Sequence, residues 1–206
     1  MKLGVNRLAN GLAKTVAAAI VLVSLVHARD AAACACCSEP GERREATSKL
    51  EPYEKDELAK IRFAKKARLF TTAAGLQNIT GITNPTDTYE LTQTRAGDRW
   101  TFSFKDTNGK TGILAFSLPA QIESFFVDPQ EPKTQGDPVL YKEWRLSSPV
   151  TATGVFTPSA NATVRLVLQG RGNACTSADQ FKSYMLIVRG PSAQFTLFGT
   201  LAAPAP

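Results

Sequence analysis

Three cysteines within four residues, Cys34, Cys36 and Cys37, are the densest reactive chemistry in the chain, and the fourth, Cys175, lies in a distant Gly/Asn-rich stretch, QGRGNACTSADQF. In an oxidising compartment such cysteines form disulfides, and four of them allow three full pairings. A link from the cluster to Cys175 closes a very long loop, which on the chain-entropy model stabilises by roughly 4 to 5 kcal/mol. Neighbouring cysteines pair with one another only awkwardly, so the cluster leaves a thiol for other chemistry. The second use is soft-metal capture: copper(I) is content with few thiolates, whereas zinc needs all four cysteines or a carboxylate besides. A third use is acylation of Cys34 after cleavage just before it, which Ala31, standing where a lipobox has leucine, and the Arg29-Asp30 pair both oppose. Thiol redox catalysis has neither a Cys-x-x-Cys motif nor a βαβ unit to work with.

The single histidine, His27, falls at the end of an apparent export signal. The exported chain then has no imidazole, which removes Ser-His-Asp and Cys-His hydrolases, zincins and His-ligated copper or haem sites. Catalysis would have to rest on carboxylates. Glu123, Asp128, Glu131, Asp137 and Glu143 fall in or near one inter-strand loop, where a glycosidase pair or a calcium site is conceivable but no spacing supports either. Trp100 and Trp144 offer a sugar-stacking platform, against which stands the place of Trp100 on an expected core face. Lys60, Arg62, Lys65, Lys66 and Arg68 form a basic run expected on a helix, where Glu51, Glu54, Asp56 and Glu57 balance it. Gly170-Arg171-Gly172 lacks the Lys-Ser/Thr and the following helix of a phosphate loop.

The elements that must position these groups begin with the leader. Residues 1–14 carry Lys2, Arg7 and Lys14 without an acid, and residues 15–26 (TVAAAIVLVSLV) are an apolar run. This is the pattern of a cleavable secretory signal over 1–28, with Ala28 or Ala33 as the cleavage point. The run is shorter than the about 20 residues a membrane helix needs, so no transmembrane helix is expected. Removing the leader lowers the net charge from +6 to about +3, and with no zinc-finger spacing or basic arm a nucleic-acid partner is not expected.

Residues 29–50 read as an exposed, partly flexible lead-in holding the cysteine cluster, 51–201 as one β domain with a short N-terminal helix, and 202–206 (AAPAP) as a disordered tail. Pro52 and the early acids open the helix, and Tyr53, Leu58 and Ile61 give it one apolar side. From Ala67 onward strand follows strand. A two-residue loop at Asn108-Gly109 pairs Phe104 with Ile113 and Phe102 with Ala115, and a turn at Ala96-Gly97 sets Leu91 against Phe102. A closing hairpin around Arg189-Gly190-Pro191-Ser192 pairs Val188 with Phe195, Leu186 with Leu197 and Tyr184 with Gly199. Further strands are expected over 121–127, 138–147, 149–156 and 162–169.

The expected fold is mostly β, an antiparallel β-sandwich of jelly-roll type with a closed barrel as the second choice. The expected function is that of an exported, periplasmic or secreted, non-catalytic envelope component or ligand-binding module. The alternative is copper or zinc binding through Cys34, Cys36 and Cys37. The residues name no ligand, no catalytic group and no oligomeric state.

Overall fold

The computed structural model describes residues 41–129, 140–157, 161–172 and 177–203, all within one unit of the chain, Cys36–Pro206. The leader and all four cysteines lie outside these residues, so the disulfide, metal and acylation expectations do too. The protein is an antiparallel β-sandwich with one short helix. Its elements are β1 (Arg43–Lys49), α1 (Pro52–Lys60), β2 (Arg62–Phe63), β3 (Lys66–Leu69), β4 (Thr88–Ala96), β5 (Arg99–Asp106) and β6 (Thr111–Ser117). They continue with β7 (Gln121–Val127), β8 (Leu140–Pro149), β9 (Thr151–Gly154), β10 (Thr163–Gly172), β11 (Phe181–Gly190) and β12 (Ala193–Ala202). No helix among the described residues is long and apolar enough to cross a membrane.

Hydrogen bonding joins the strands in the order β1-β7-β8-β10-β11-β12-β3-β4-β5-β6-β9, with β2 paired to β12 off this path. The sheet folds over so that its two halves share one core. Phe63 of β2 touches Trp100 and Phe102 of β5 on one side and Tyr184 of β11 on the other, while Phe156 stacks on Phe195 and meets Phe104 edge-on. At Val150 the chain passes from one half to the other: β8 pairs with β7 and β10, and β9, immediately after it, pairs with β6. A strand that changes sheets in this way makes the corner of a sandwich.

Strict alternation drives the strands. Trp100, Phe102 and Phe104 of β5 face inward between exposed Arg99, Ser103 and Lys105, and Tyr184, Leu186 and Val188 of β11 face inward between half-buried Met185 and Ile187. The β11–β12 register is the expected one, Val188 opposite Phe195, Leu186 opposite Leu197 and Tyr184 opposite Gly199, with the strands running on to a tighter Pro191-Ser192 turn.

The β5–β6 hairpin corrects the expected register by one residue. Phe104 faces Gly112, Phe102 faces Leu114 and Trp100 faces Phe116. Ile113, expected in the core, is 38% exposed, whereas Leu114 and Phe116 are buried. The cause lies in the loop. Asp106 Oδ1 accepts from the amides of Asn108 and Lys110, both at 2.8 Å, and the Asp106 amide donates to Lys110 O. Only Gly109 has a positive φ, +81°, so the chain makes a three-residue turn with a left-handed third position instead of a two-residue loop. One extra residue in the turn flips every side chain of the following strand. The β4–β5 turn also differs, at Gly97-Asp98, which sets Leu91 against Phe104; a shift of two keeps the same faces.

The helix is as expected in its start: Pro52 occupies the first turn and the Glu54 carboxylate accepts the Glu51 amide at 2.9 Å, one arm of a capping box. Leu58 and Ile61 are buried, but Tyr53 is 56% exposed. The lead-in expectation is corrected over its last residues. Arg43–Lys49 form an edge strand paired along its length with β7, although every side chain on it is exposed. Ala202, expected in the tail, belongs to β12 and pairs with Arg62, while residues 204–206 lie outside the described residues.

Candidate binding site

Two polar arrangements stand out, one buried and one on the outer face. The buried one forms where α1 meets the start of β8, the end of β10 and the 3-10 turn Ala178–Gln180. Lys142 of β8 is 0% exposed. Its ammonium donates to Gln180 Oε1 at 2.9 Å and to Ser177 O at 3.3 Å, and lies 4.9 Å from the Phe181 ring centroid. Burial pulls its pKa down to about 8, against the upward pull of the Asp179 and Glu57 carboxylates and helped by Lys182. Glu57, buried on α1, accepts the Ala178 amide at 2.8 Å and binds Lys60. Burial pushes this carboxyl up, but those two partners outweigh it and hold it below its ordinary range.

The same cluster explains Gly170-Arg171-Gly172. A Cβ at Gly170 would sit 2.0 Å from Gln180 O, and one at Gly172 would sit 1.9 Å from Gln180 Oε1. The glycines let the 3-10 turn lie directly on β10, which brings Gln180 to Lys142. This arrangement ties down the chain on the C-terminal side of Cys175; it is a structural pin rather than an open site.

The outer arrangement lies on the solvent side of β7, β8, β10 and β11. Cross-strand register places Glu123 beside Arg145, Arg145 beside Val167, and Val167 beside Met185. Arg145 donates to Glu143 at 2.7 Å and to Glu45 on β1, and Arg165 pairs with Glu123. Tyr141 and Gln169 both bond Glu143 Oε1, at 2.5 and 2.9 Å. Burial works to raise the Glu143 pKa, but the bonds from Tyr141, Gln169 and Arg145 prevail and keep it below the usual carboxylate range. Tyr141 is pushed up to about 12 by burial and by its bond to that carboxylate. A glycosidase acid needs the opposite arrangement, a carboxyl with a raised pKa, so Glu143 does not suit the acid's role.

Beside this ladder runs a groove of about 450 Å³. Val167, Met185 and Ile187 form its floor, and Arg145, Arg165 and Arg189 stand along it. Arg189 is exposed, and among the described residues no carboxylate is paired with its guanidinium. A second hollow of about 190 Å³ shares Ile187 and Arg189 and adds Phe70 and Phe195. An apolar floor with a cationic edge suits a molecule that is apolar along its length and acidic at one end.

Of the residues singled out in the sequence, Glu123 and Glu143 are brought to this one face, each held by an arginine. Asp128 is buried just past β7, and its backbone carbonyl accepts the Gly41 amide at 2.8 Å; Glu131 and Asp137 lie outside the described residues. No three His, Cys, Asp or Glu side chains come together to hold a metal among the described residues. Trp100 and Trp144 are both buried, so they form core and not a sugar platform. The basic run is corrected as well: only Lys60 is on the helix, Arg62 is on β2, and Lys66 and Arg68 are on β3. Sequence reasoning missed Lys142 and the groove. The groove had a legible trace: Leu166-Val167-Leu168 and Met185-Leu186-Ile187-Val188 are unbroken apolar runs, which mark strands with apolar residues on both faces.

No protein family matches the sequence, and no curated protein or solved structure is similar to it.

Proposed function

We propose that the protein is an exported, non-catalytic binding module that holds an acidic amphiphile in the groove over β8, β10 and β11. The observation that carries this reading is the meeting of an apolar floor, Val167, Met185 and Ile187, with three arginines, one of which, Arg189, pairs with no carboxylate among the described residues. The leader pattern of residues 1–28 supports export, and the absence of histidine from the rest of the chain supports a role without imidazole catalysis. Arg145 and Arg165 already neutralise Glu143 and Glu123, so the free attraction for an acid comes from Arg189.

The test is calorimetric titration with decanoate and with decanol, which share the chain and differ in charge. Decanoate is expected to bind more tightly than decanol. Arg189→Ala should weaken decanoate about tenfold, the worth of one charge-assisted contact, and leave decanol unchanged. Ile187→Asp should abolish both. Equal binding of the two probes, or decanoate binding untouched by either substitution, would remove the groove from the function.

A further inference from the structure

β1 runs as a strand over Arg43–Lys49 without burying one side chain. Its backbone pairing with β7 and the ion pair of Glu45 with Arg145 hold it in place. It also ends the sheet: among the described residues no strand lies along its other edge. Such an edge carries a row of amides and carbonyls that another strand can pair with, and proteins commonly blunt it with charge. On β1 the charges are arranged to attract a strand of the same sequence.

One hydrogen bond gives the direction of the backbone groups. The Leu50 amide donates to Ala120 O at 2.9 Å, the next step of the β1–β7 register after Lys49 and Gln121. Backbone groups alternate between the two sides of a strand. Arg44, Ala46 and Ser48 therefore turn theirs to β7, and Arg43, Glu45, Thr47 and Lys49 turn theirs to the open edge. Glu51, still extended at φ −81° and ψ 159°, continues the row of side chains, although its own amide and carbonyl are bonded to Glu54 and Lys55. The row reads Arg-Glu-Thr-Lys-Glu. Reversed against itself about Thr47, it sets Arg43 opposite Glu51, Glu45 opposite Lys49 and Thr47 opposite Thr47. Neighbouring registers fail: centring on Ala46 sets Arg43 against Lys49, and centring on Glu45 sets that carboxylate against its own copy.

We propose that two copies of this chain pair antiparallel through β1, centred on Thr47. Glu45 and Lys49 of each copy exchange backbone hydrogen bonds with Lys49 and Glu45 of the other, and the two Thr47 residues do so with each other. Arg43, which pairs with no carboxylate among the described residues, reaches Glu51 of the second copy. The Lys49 ammonium, 3.7 Å from Glu51 of its own chain, lies across from Glu45 of the second copy. Residues opposite one another point to the same face, so the outer faces of both copies lie on one side of a continuous sheet. The contact is a narrow strip, and its dissociation constant is expected on the order of 100 µM. It does not depend on the outer groove.

Sedimentation equilibrium of the intact protein, with reductant so that no disulfide joins copies, should show a reversible dimer between about 10 and about 1000 µM. Thr47→Pro removes only an amide that points to the open edge, leaves the β1–β7 ladder whole and should give a monomer. Glu45→Lys and Lys49→Glu each set like charges opposite one another and should weaken the dimer about tenfold. Mixed in equal amounts, these two variants bring opposite charges together again and should restore dimers, which damage within each monomer would not allow. The mixing experiment stands by itself if the proline variant does not fold. A wild type that stays monomeric throughout this range would overturn the proposal. So would a dimer that a folded Thr47→Pro variant retains, or a mixture that associates no better than either charge variant alone.

Discussion

Lys142 makes the stability of this protein rise with pH where most proteins lose it. The buried ammonium has a pKa of about 8 against 10.5 for an ordinary lysine. The folded state therefore releases its proton first. Below about pH 8 the side chain is charged in both states, and the folded protein carries the full cost of burying it. Between the two pKa values the unfolded chain holds one more proton than the fold, so stability climbs by about 1.4 kcal/mol per pH unit. From neutral pH to about pH 9.5 the gain is on the order of 2 kcal/mol. Tyr141 acts with the opposite sign, since the fold keeps it neutral while unfolded tyrosine ionises near pH 10. The comparison is therefore made below about pH 10 and against Lys142→Met, which retains Tyr141. Urea unfolding of both proteins at about pH 7, 8.5 and 9.5 should show the wild type gaining on the variant by that amount. Parallel pH profiles would refute the reasoning, because they would mean that Lys142 titrates alike folded and unfolded.

Gly172→Ala should cost about 2 to 3 kcal/mol in the same urea assay, because the new methyl must displace Gln180 from Lys142. Gly97→Ala, where a Cβ meets nothing within 4 Å and only the positive φ of +57° opposes it, should cost about 1 kcal/mol. Arg145→Ala removes a partner from Glu143, whose depressed pKa contributes stability that is present above the ordinary carboxylate pKa and is lost as pH falls through the depressed one. The variant should unfold at a higher pH than the wild type when circular dichroism is followed during acid titration. Intact mass of protein taken from the exported compartment without reductant separates the uses of Cys34, Cys36, Cys37 and Cys175. Two disulfides lower the denatured mass by four hydrogens, whereas a soft-metal site gives bound copper or zinc in the native spectrum with the thiols reduced.

Most of the fold was legible because burial writes itself into alternation. The β11–β12 register followed from sequence to the residue, since only one pairing puts Tyr184 over the bare backbone of Gly199 and keeps Leu186, Val188, Phe195 and Leu197 together. The β5–β6 register was not legible. Residues 113–116 read Ile-Leu-Ala-Phe, apolar on both faces, so either register buries a hydrophobic set and the decision passes to the loop. There the Asp106 side chain captures two amides and lengthens the turn. Glu123 and Glu143 were legible as residues but not as neighbours: they share one face only because β7 and β8 pair with Glu123 opposite Arg145.

The sequence by itself determined the β class, the start of the one helix at Pro52, the aromatic core face of β5 and the exclusion of imidazole chemistry beyond His27. These are properties of composition and short-range periodicity, which each segment carries without its partners. Tertiary structure decided that Lys142 is buried on Gln180, that Trp100 and Tyr184 meet at Phe63, and that Val167, Met185 and Ile187 lie under three arginines. Each of these joins residues from strands far apart in the chain. Their meeting depends on the order and register of the whole sheet, in which a one-residue change in a single turn exchanges the two faces of a strand.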